Sequence, residues 1–271
     1  MPMSGAHNFD RGTYLRRIKL VDPVPVSEAG LLRLSRAQLF TIPFENMDIQ
    51  LGRRLELDPA ALFCKIILGH RGGYCFELNT LFRTALLAFG FEARPVLARV
   101  RLRGEIHGRD HLITLVRIDG RDMLVDVGFG ASGLRAPLPL EPGYTSTQDN
   151  TRFRLLDDGD YGYLLQTENR DGWQNLYSFD TGLVCDSDIE ISNHFTETHH
   201  RSSFVRFRIA HLPHPEGGTS LLDFSLRLVR GDAEESLVVD PGPAYLKMLE
   251  TRFGIRLDAA YEELKRLPDE A

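Results

Sequence analysis

The chain has 271 residues, 42% hydrophobic and 26% charged, with a formal net charge of −6. That is the composition of a globular protein with a substantial core, and its acidity argues against nonspecific binding to nucleic acid. No apolar run reaches membrane-spanning length, residues 1–10 lack the apolar stretch of a secretory signal, and three cysteines form no disulfide framework. Together these features predict a cytoplasmic protein that does not engage a membrane.

Residues 1–90 read as mostly helical, after a short mixed segment at 14–20. Ser27 can cap a helix running towards Phe40, with Leu31, Leu32 and Leu34 among its apolar residues and Pro43 beyond its end. Asp58-Pro59 sets an N-cap before proline at the first helical position and opens a helix to about Leu68, closed by Gly69. Then comes Arg71-Gly72-Gly73-Tyr74-Cys75-Phe76-Glu77-Leu78-Asn79. Two glycines permit a tight turn, and Leu78, Leu81, Phe82, Ala85, Leu86 and Phe89 recur at the spacing of a buried helix face that ends near Gly90. Cys75 therefore lies at or near a helix N-terminus, where the partial positive charge favours thiolate. A cysteine is more often a small buried hydrophobe. Position and flanking glycines point instead to a nucleophile, which needs a base and an orienting acid.

From Phe91 the pattern changes to period two. Strands are predicted at 96–102, 112–118, 123–127, 153–156, 163–166, 176–179, 204–209, 221–229 and 236–239. Many short antiparallel strands with turn signals favour a barrel or sandwich. Two helices close the chain, at 244–253 before Gly254 and at 258–267 before Pro268. The order gives an α+β fold with soft boundaries near residues 90 and 200.

Among nine histidines, geometry selects His111. Asp119-Gly120 between two strand-like runs is a strong two-residue hairpin signal. Pairing Ile118 with Arg121 sets Ile113 opposite Asp126. His111 and Asp126 then become diagonal neighbours on one sheet face, roughly 7–8 Å apart at the backbone. An aspartate holding an imidazole that activates a thiol is triad logic.

Other candidates are weaker. Gly128-Phe129-Gly130-Ala131-Ser132-Gly133 matches a dinucleotide fingerprint, but Pro137 and Pro139 follow where a helix is required. His194, His199 and His200 lack partners at zinc-ligand spacing and read as a solvated loop, so no metal is predicted. Arg99, Arg101 and Arg103 read as a solvated strand face, with a phosphate-binding strip as the weaker reading.

The segment from Arg71 to Glu77, His111, and Asp126-Val127-Gly128-Phe129-Gly130 resemble the arylamine N-acetyltransferases. Ile42-Pro43-Phe44-Glu45-Asn46-Met47-Asp48 and Trp173-Gln174-Asn175-Leu176-Tyr177-Ser178-Phe179 fit the same family, as do Asp188-Ile189-Glu190 and Ser203-Phe204. The resemblance implies a cysteine-protease-like triad of Cys75, His111 and Asp126. It implies three parts: a helical bundle at 1–90 carrying the cysteine, an antiparallel β-barrel at 91–200 carrying His and Asp, and an α/β lid at 201–271. It implies acetyl-CoA as acyl donor, aromatic amines or hydrazines as acceptors, and a pocket of Phe44, Val100, Phe129 and Phe204. Gly128 and Gly130 would let a ligand such as CoA approach the backbone closely. The residue before the catalytic histidine is often threonine in relatives; here it is Asp110, whose charge does not favour an anionic cofactor. The rival readings are a thiol hydrolase or transglutaminase-like enzyme, an amide synthase of the same superfamily in natural-product biosynthesis, and a binding protein that kept the fold.

Overall fold

The structure, a computed structural model, describes residues 9–21, 23–102 and 106–267. Arg103 and Pro268 lie outside them. Helix α1 (Arg11–Arg17) starts where Asp10 accepts from Thr13 N, and α2 (Glu28–Leu39) where Ser27 accepts from Gly30 N. A two-residue strand β1 (Phe44–Glu45) and a single-turn helix α3 (Met47–Gln50) follow. Helix α4 (Pro59–Leu62), capped by Asp58, continues as a wider π turn over Phe63–Leu68 and stops at Gly69. Helix α5 (Cys75–Ala88) begins at the cysteine itself, and Leu78, Leu81, Phe82, Ala85 and Leu86 along it are buried.

Eight strands come next: β2 (Glu92–Val100), β3 (His111–Ile118), β4 (Arg121–Val125), β5 (Leu138–Pro139), β6 (Thr145–Gln148), β7 (Thr151–Asp157), β8 (Tyr163–Asn169) and β9 (Gly172–Phe179). They form one antiparallel sheet in the order β5-β4-β3-β2-β9-β8-β7-β6. Its two ends meet where Gln148 accepts from Arg135 N and Ala136 N and donates to Ala136 O, so the sheet is a nearly closed barrel. Val96, Ile113, Leu115, Leu124, Phe153 and Leu165 fill its interior. Leu97, Leu112, Val116 and Val125 point the other way and pack on α5, which is why β3 is buried on both faces.

The chain then forms α6 (Asp186–Thr198), α7 (Ser203–Arg206), β10 (Ile209–His214), β11 (Gly217–Leu222), β12 (Ser225–Arg230), β13 (Ala233–Val238) and α8 (Pro243–Met248). Helix α8 runs on as a π turn over Leu249–Phe253, and Gly254 closes it at φ +71°. The second sheet has the order β1-β10-β11-β12-β13, so a strand from near the N-terminus forms its edge. Its own core gathers Met47, Ala210, Leu221, Leu226, Tyr245, Leu249 and Phe253.

Four expectations need correction. The stretch 204–209 is not a strand: Ser202 caps α7, and the carbonyls of Phe204 and Phe207 accept from Asn46 and Gln50. The stretch 221–229 is two strands, turned at Asp223, whose φ is +53°. The stretch 258–267 holds one 3-10 turn, Tyr261–Glu263, because Lys265 N donates to Gln50 O and Lys265 O accepts from Arg208. His194 lies on α6 and is not a loop residue, whereas His199 and His200 follow the helix end as expected. The fingerprint-like stretch 128–133 opens no helix; β5 follows it. No described helix is long and apolar enough to cross a membrane.

A buried set of charges joins these parts. The Arg71 guanidinium grips Glu45 through two bonds of 2.9 and 3.1 Å and reaches Asp48 at 3.1 Å. Lys65 Nζ lies 2.6 Å from Asp48 and 2.7 Å from Glu77, and Glu77 accepts from Tyr74 N. Gly72 N and Met47 N also donate to Glu45. Burial opposes the charge on Arg71, but the carboxylates beside it outweigh that, and its pKa stays raised. A bidentate pair with every remaining lone pair occupied is the geometry in which buried charges are tolerated. Replacing Arg71 with Met leaves Glu45 buried and unpaired. Urea denaturation should show a loss of about 3–5 kcal/mol, and the double variant Glu45→Gln/Arg71→Met should recover part of it. A loss below about 1 kcal/mol would mean that water reaches Glu45.

Candidate active site

Cys75 is the first residue of α5 and is 3% exposed. Gly72 and Gly73 deliver it. A Cβ on Gly72 would fall 2.1 Å from Pro43 O, and Gly73 forms a parallel bridge with Phe44. The glycines are therefore required for close packing of the loop against β1.

His111 opens β3, and Asp126 directly follows β4. The turn between these strands has φ of +50° at Asp119 and +78° at Gly120, the primed geometry that an Asp-Gly pair favours. The ladder runs from Ile118↔Arg121 to Thr114↔Val125, the predicted register. It stops one step short of Ile113 and Asp126, where the chain turns towards α5. His111 Nε2 lies 2.8 Å from Asp126 Oδ2, and both residues are 2% exposed. That leaves the ring's other nitrogen uncommitted to Asp126, and Cys75 and His111 lie near enough for each to shift the other's ionisation.

Asn79 fixes this arrangement. It sits four residues after Cys75 and so shares its helix face. Its Nδ2 donates to Asp126 Oδ1 at 3.0 Å and to Leu112 O at 2.7 Å, while its Oδ1 accepts from Val127 N. Gly128 N adds another bond to Asp126. A Cβ on Gly128 would come 2.7 Å from Asn79 Nδ2 and 3.0 Å from Cys75 Cα, so this glycine serves packing against α5. Gly130, at φ +87°, faces open space. The i+4 spacing from Cys75 was the signal for Asn79, and sequence reasoning passed over it.

Burial opposes an imidazolium at His111, but the Asp126 carboxylate and the Cys75 contact override it and push the pKa up to about 10. Burial pulls Asp126 upward, and its bonds to His111, Asn79 and Gly128 N hold it lowered. Burial pushes the Cys75 thiol up and His111 offsets this only in part, so the thiol stays raised despite its place at a helix N-terminus, and thiol and imidazole titrate as a pair. Asp110 accepts from Val100 N at 3.0 Å, and its charge adds to what pushes Cys75 up.

Two aromatic groups meet the neighbours of Cys75, one at Tyr74 and one at His111. Phe204 packs edge-on against Tyr74 at 5.3 Å and lies 5.8 Å from Phe44. Phe129 lies 5.1 Å from His111 and from Tyr177, and Tyr177 lies 5.2 Å from His111. Val100 ends β2 opposite Tyr177. The structure thus brings Phe44 together with Phe204, and Phe129 and Val100 together around Tyr177, an aromatic residue not singled out in the sequence. Among the described residues no group of three or more His, Cys, Asp or Glu could hold a metal.

Replacing Asp126 with Asn removes the carboxylate that holds His111 up and leaves burial opposing the cation. The His111 pKa, followed by side-chain NMR, should fall from about 10 to below the ordinary 6.5. A value still above 8 would show that Cys75 alone sustains the imidazolium.

The family described as N-acetyltransferase matches residues 29–261. An arylamine N-acetyltransferase / N-hydroxyarylamine O-acetyltransferase of Salmonella typhimurium is 37% identical over 240 residues, covering 86% of this chain and 83% of that protein. The arylamine N-acetyltransferase structure from M. smegmatis superposes with a TM-score of 0.89 at 31% identity, over 96% of this chain and 99% of that one. The arylamine N-acetyltransferase of Mycobacterium marinum in complex with CoA gives a TM-score of 0.88 at 30% identity, over 94% and 97%. With motifs, fold and length in agreement across nearly the whole chain, the protein belongs to the arylamine N-acetyltransferase family.

Proposed function

We propose that the protein moves an acetyl group from acetyl-CoA to the nitrogen of an arylamine or arylhydrazine by way of an acetyl-cysteine on Cys75. The observation that carries this reading is the buried His111–Asp126 pair set beside Cys75, the first residue of α5, in a member of this family. In the first half-reaction the Cys75 thiolate attacks the thioester carbonyl. Its bond to carbon forms as the bond to the CoA sulfur breaks, and His111 gives its proton to the departing sulfur. One thioester replaces another, so the exchange is nearly balanced and the protein contributes chiefly positioning. In the second half-reaction the amine nitrogen attacks the acetyl carbon, its proton passes to His111, and Cys75 leaves as thiolate. Acetylation removes the Cys75 charge, one of the causes that hold His111 up. The imidazole is therefore more readily unprotonated, and so available to take a proton, in the acetyl-enzyme, the state that needs a base.

Phe44, Phe204, Phe129 and Val100 are the proposed acceptor walls, and aromatic rings favour a flat amine through burial and edge or offset stacking. Gly130, open where Gly128 is packed, is the better of the two for close approach by CoA. We read the division at 1–90, 91–200 and 201–271 as bundle, barrel and lid, with the lid limiting water at the acetyl-cysteine. Three free cysteines fit a reducing, cytoplasmic setting.

Intact-mass measurement after exposure to acetyl-CoA should show one acetyl adduct. It should be absent in Cys75→Ala and kept in Cys64→Ala and Cys185→Ala, and an arylamine should discharge it. An adduct that persists in Cys75→Ala removes Cys75 from the mechanism. An adduct lost to water as fast as to amine would favour the hydrolase reading.

A further inference from the structure

We infer that Asn46 and Gln50 are positioning residues for the acceptor half-reaction, acting by holding Phe204 in place against Tyr74, the residue before Cys75. This rests on the reading of Phe204 as an acceptor wall.

The helix that carries Phe204 is one turn long, too short to hold itself in one place. Its carbonyls are held from outside. Asn46 Nδ2 donates to Phe204 O and to Phe207 O, each at 2.7 Å, and Gln50 Nε2 donates to the same two oxygens at 2.7 and 3.1 Å. Asn46 Oδ1 accepts from Ile209 N at 2.7 Å, which fixes the start of β10 as well. Lys265 reinforces the clamp: its N–H donates to Gln50 O, and its ammonium donates to Val205 O. Asn46 and Gln50 are 3% and 1% exposed, so water does not replace these bonds.

The clamp is tied to the nucleophile by its neighbours in the chain. Asn46 lies beside Glu45, and Asp48 lies between the two carboxamides; Glu45 and Asp48 grip Arg71 at the head of the loop that delivers Cys75. One short segment, residues 45–50, thus holds the nucleophile loop through carboxylates and the Phe204 turn through carboxamides. It sets the spacing between thiol and aromatic wall, and a small misplacement of a positioning element is costly in such a site. The carboxamide is also chemically required. Each oxygen it meets is a carbonyl, so the partner must donate, and a carboxylate cannot.

Gln50→Glu keeps the shape but leaves, as a buried neutral carboxyl, at most one O–H where the carboxamide gives two N–H donors, and none if it ionises. The test measures three rates on the full chain: acetylation of Cys75 by acetyl-CoA, transfer to an arylamine, and transfer to hydrazine itself, which has no ring for Phe204 to meet. The variant should lower arylamine kcat/KM on the order of 10-fold, raising KM more than it lowers kcat. Acetylation and transfer to hydrazine should stay within about twofold of wild type. In a Phe204→Ala background Gln50→Glu should add little, because the residue through which it acts is gone. Gln50→Met, uncharged and of similar length, carries the same test should a buried carboxylate unfold the protein. Equal losses for acetylation, hydrazine and arylamine would overturn the inference, as would a full additional loss in Phe204→Ala. Should Phe204→Ala alone leave arylamine use unchanged, the wall assignment fails first, and the positioning role falls with it.

Discussion

The bond between Arg71 and Glu45 is the constraint on which the rest depends. Arg71 begins the loop that ends at Cys75, and Glu45 belongs to the edge strand of the C-terminal sheet. On its far side, Cys75 shares a helix face with Asn79, which binds the strand end carrying Asp126. Cys75 therefore sits where helices, barrel and C-terminal sheet meet, and polar contacts of Arg71 and Asn79 tie the loop before it and the helix after it to the other parts. Two glycines make the fit possible. A side chain on Gly72 would strike Pro43, and one on Gly128 would strike Asn79 and the start of α5.

Burial alone does not set the chemistry here; the partner does. His111 and His211 are both buried, at 2% and 5% exposed. His111 faces a carboxylate at 2.8 Å, and its pKa rises to about 10. His211 faces the Ser220 hydroxyl at 2.9 Å, with the Arg135 charge nearby; burial and that charge push its pKa down to about 3. The same low dielectric amplifies whichever interaction is present. Asp126 can play its part because three groups donate to it, which keeps it ionised in a place where burial alone would neutralise it.

Local signals were readable wherever local chemistry decides. Ser27 and Asp58 announced their helices, the apolar spacing after Cys75 announced α5, and Asp119-Gly120 fixed the register that brings His111 near Asp126. Reading failed where distant side chains take the backbone bonds. The 204–209 segment alternates like a strand, yet Asn46 and Gln50, more than 150 residues earlier, occupy its carbonyls. The 258–267 segment has helical composition, yet Arg208 and Gln50 claim the backbone of Lys265. Helix α6 escaped notice because Ser192, Asn193 and Thr196 make up most of its buried face, so no apolar period marks it. The proposed aromatic walls came from family resemblance, since nothing in the spacing of Phe44, Phe129 and Phe204 reveals that Phe44 meets Phe204 or that Phe129 meets His111 and Tyr177.

The account stands on a covalent relay through Cys75, and isotope exchange tests that claim most directly. Acetyl-CoA is mixed with labelled CoA and enzyme, with no amine present. A relay through acetyl-cysteine predicts that label enters acetyl-CoA at a rate matching the first half-reaction, and that Cys75→Ala abolishes the exchange. Absence of exchange in an enzyme that still acetylates arylamines would mean direct transfer from CoA to amine, and would contradict the role assigned to Cys75.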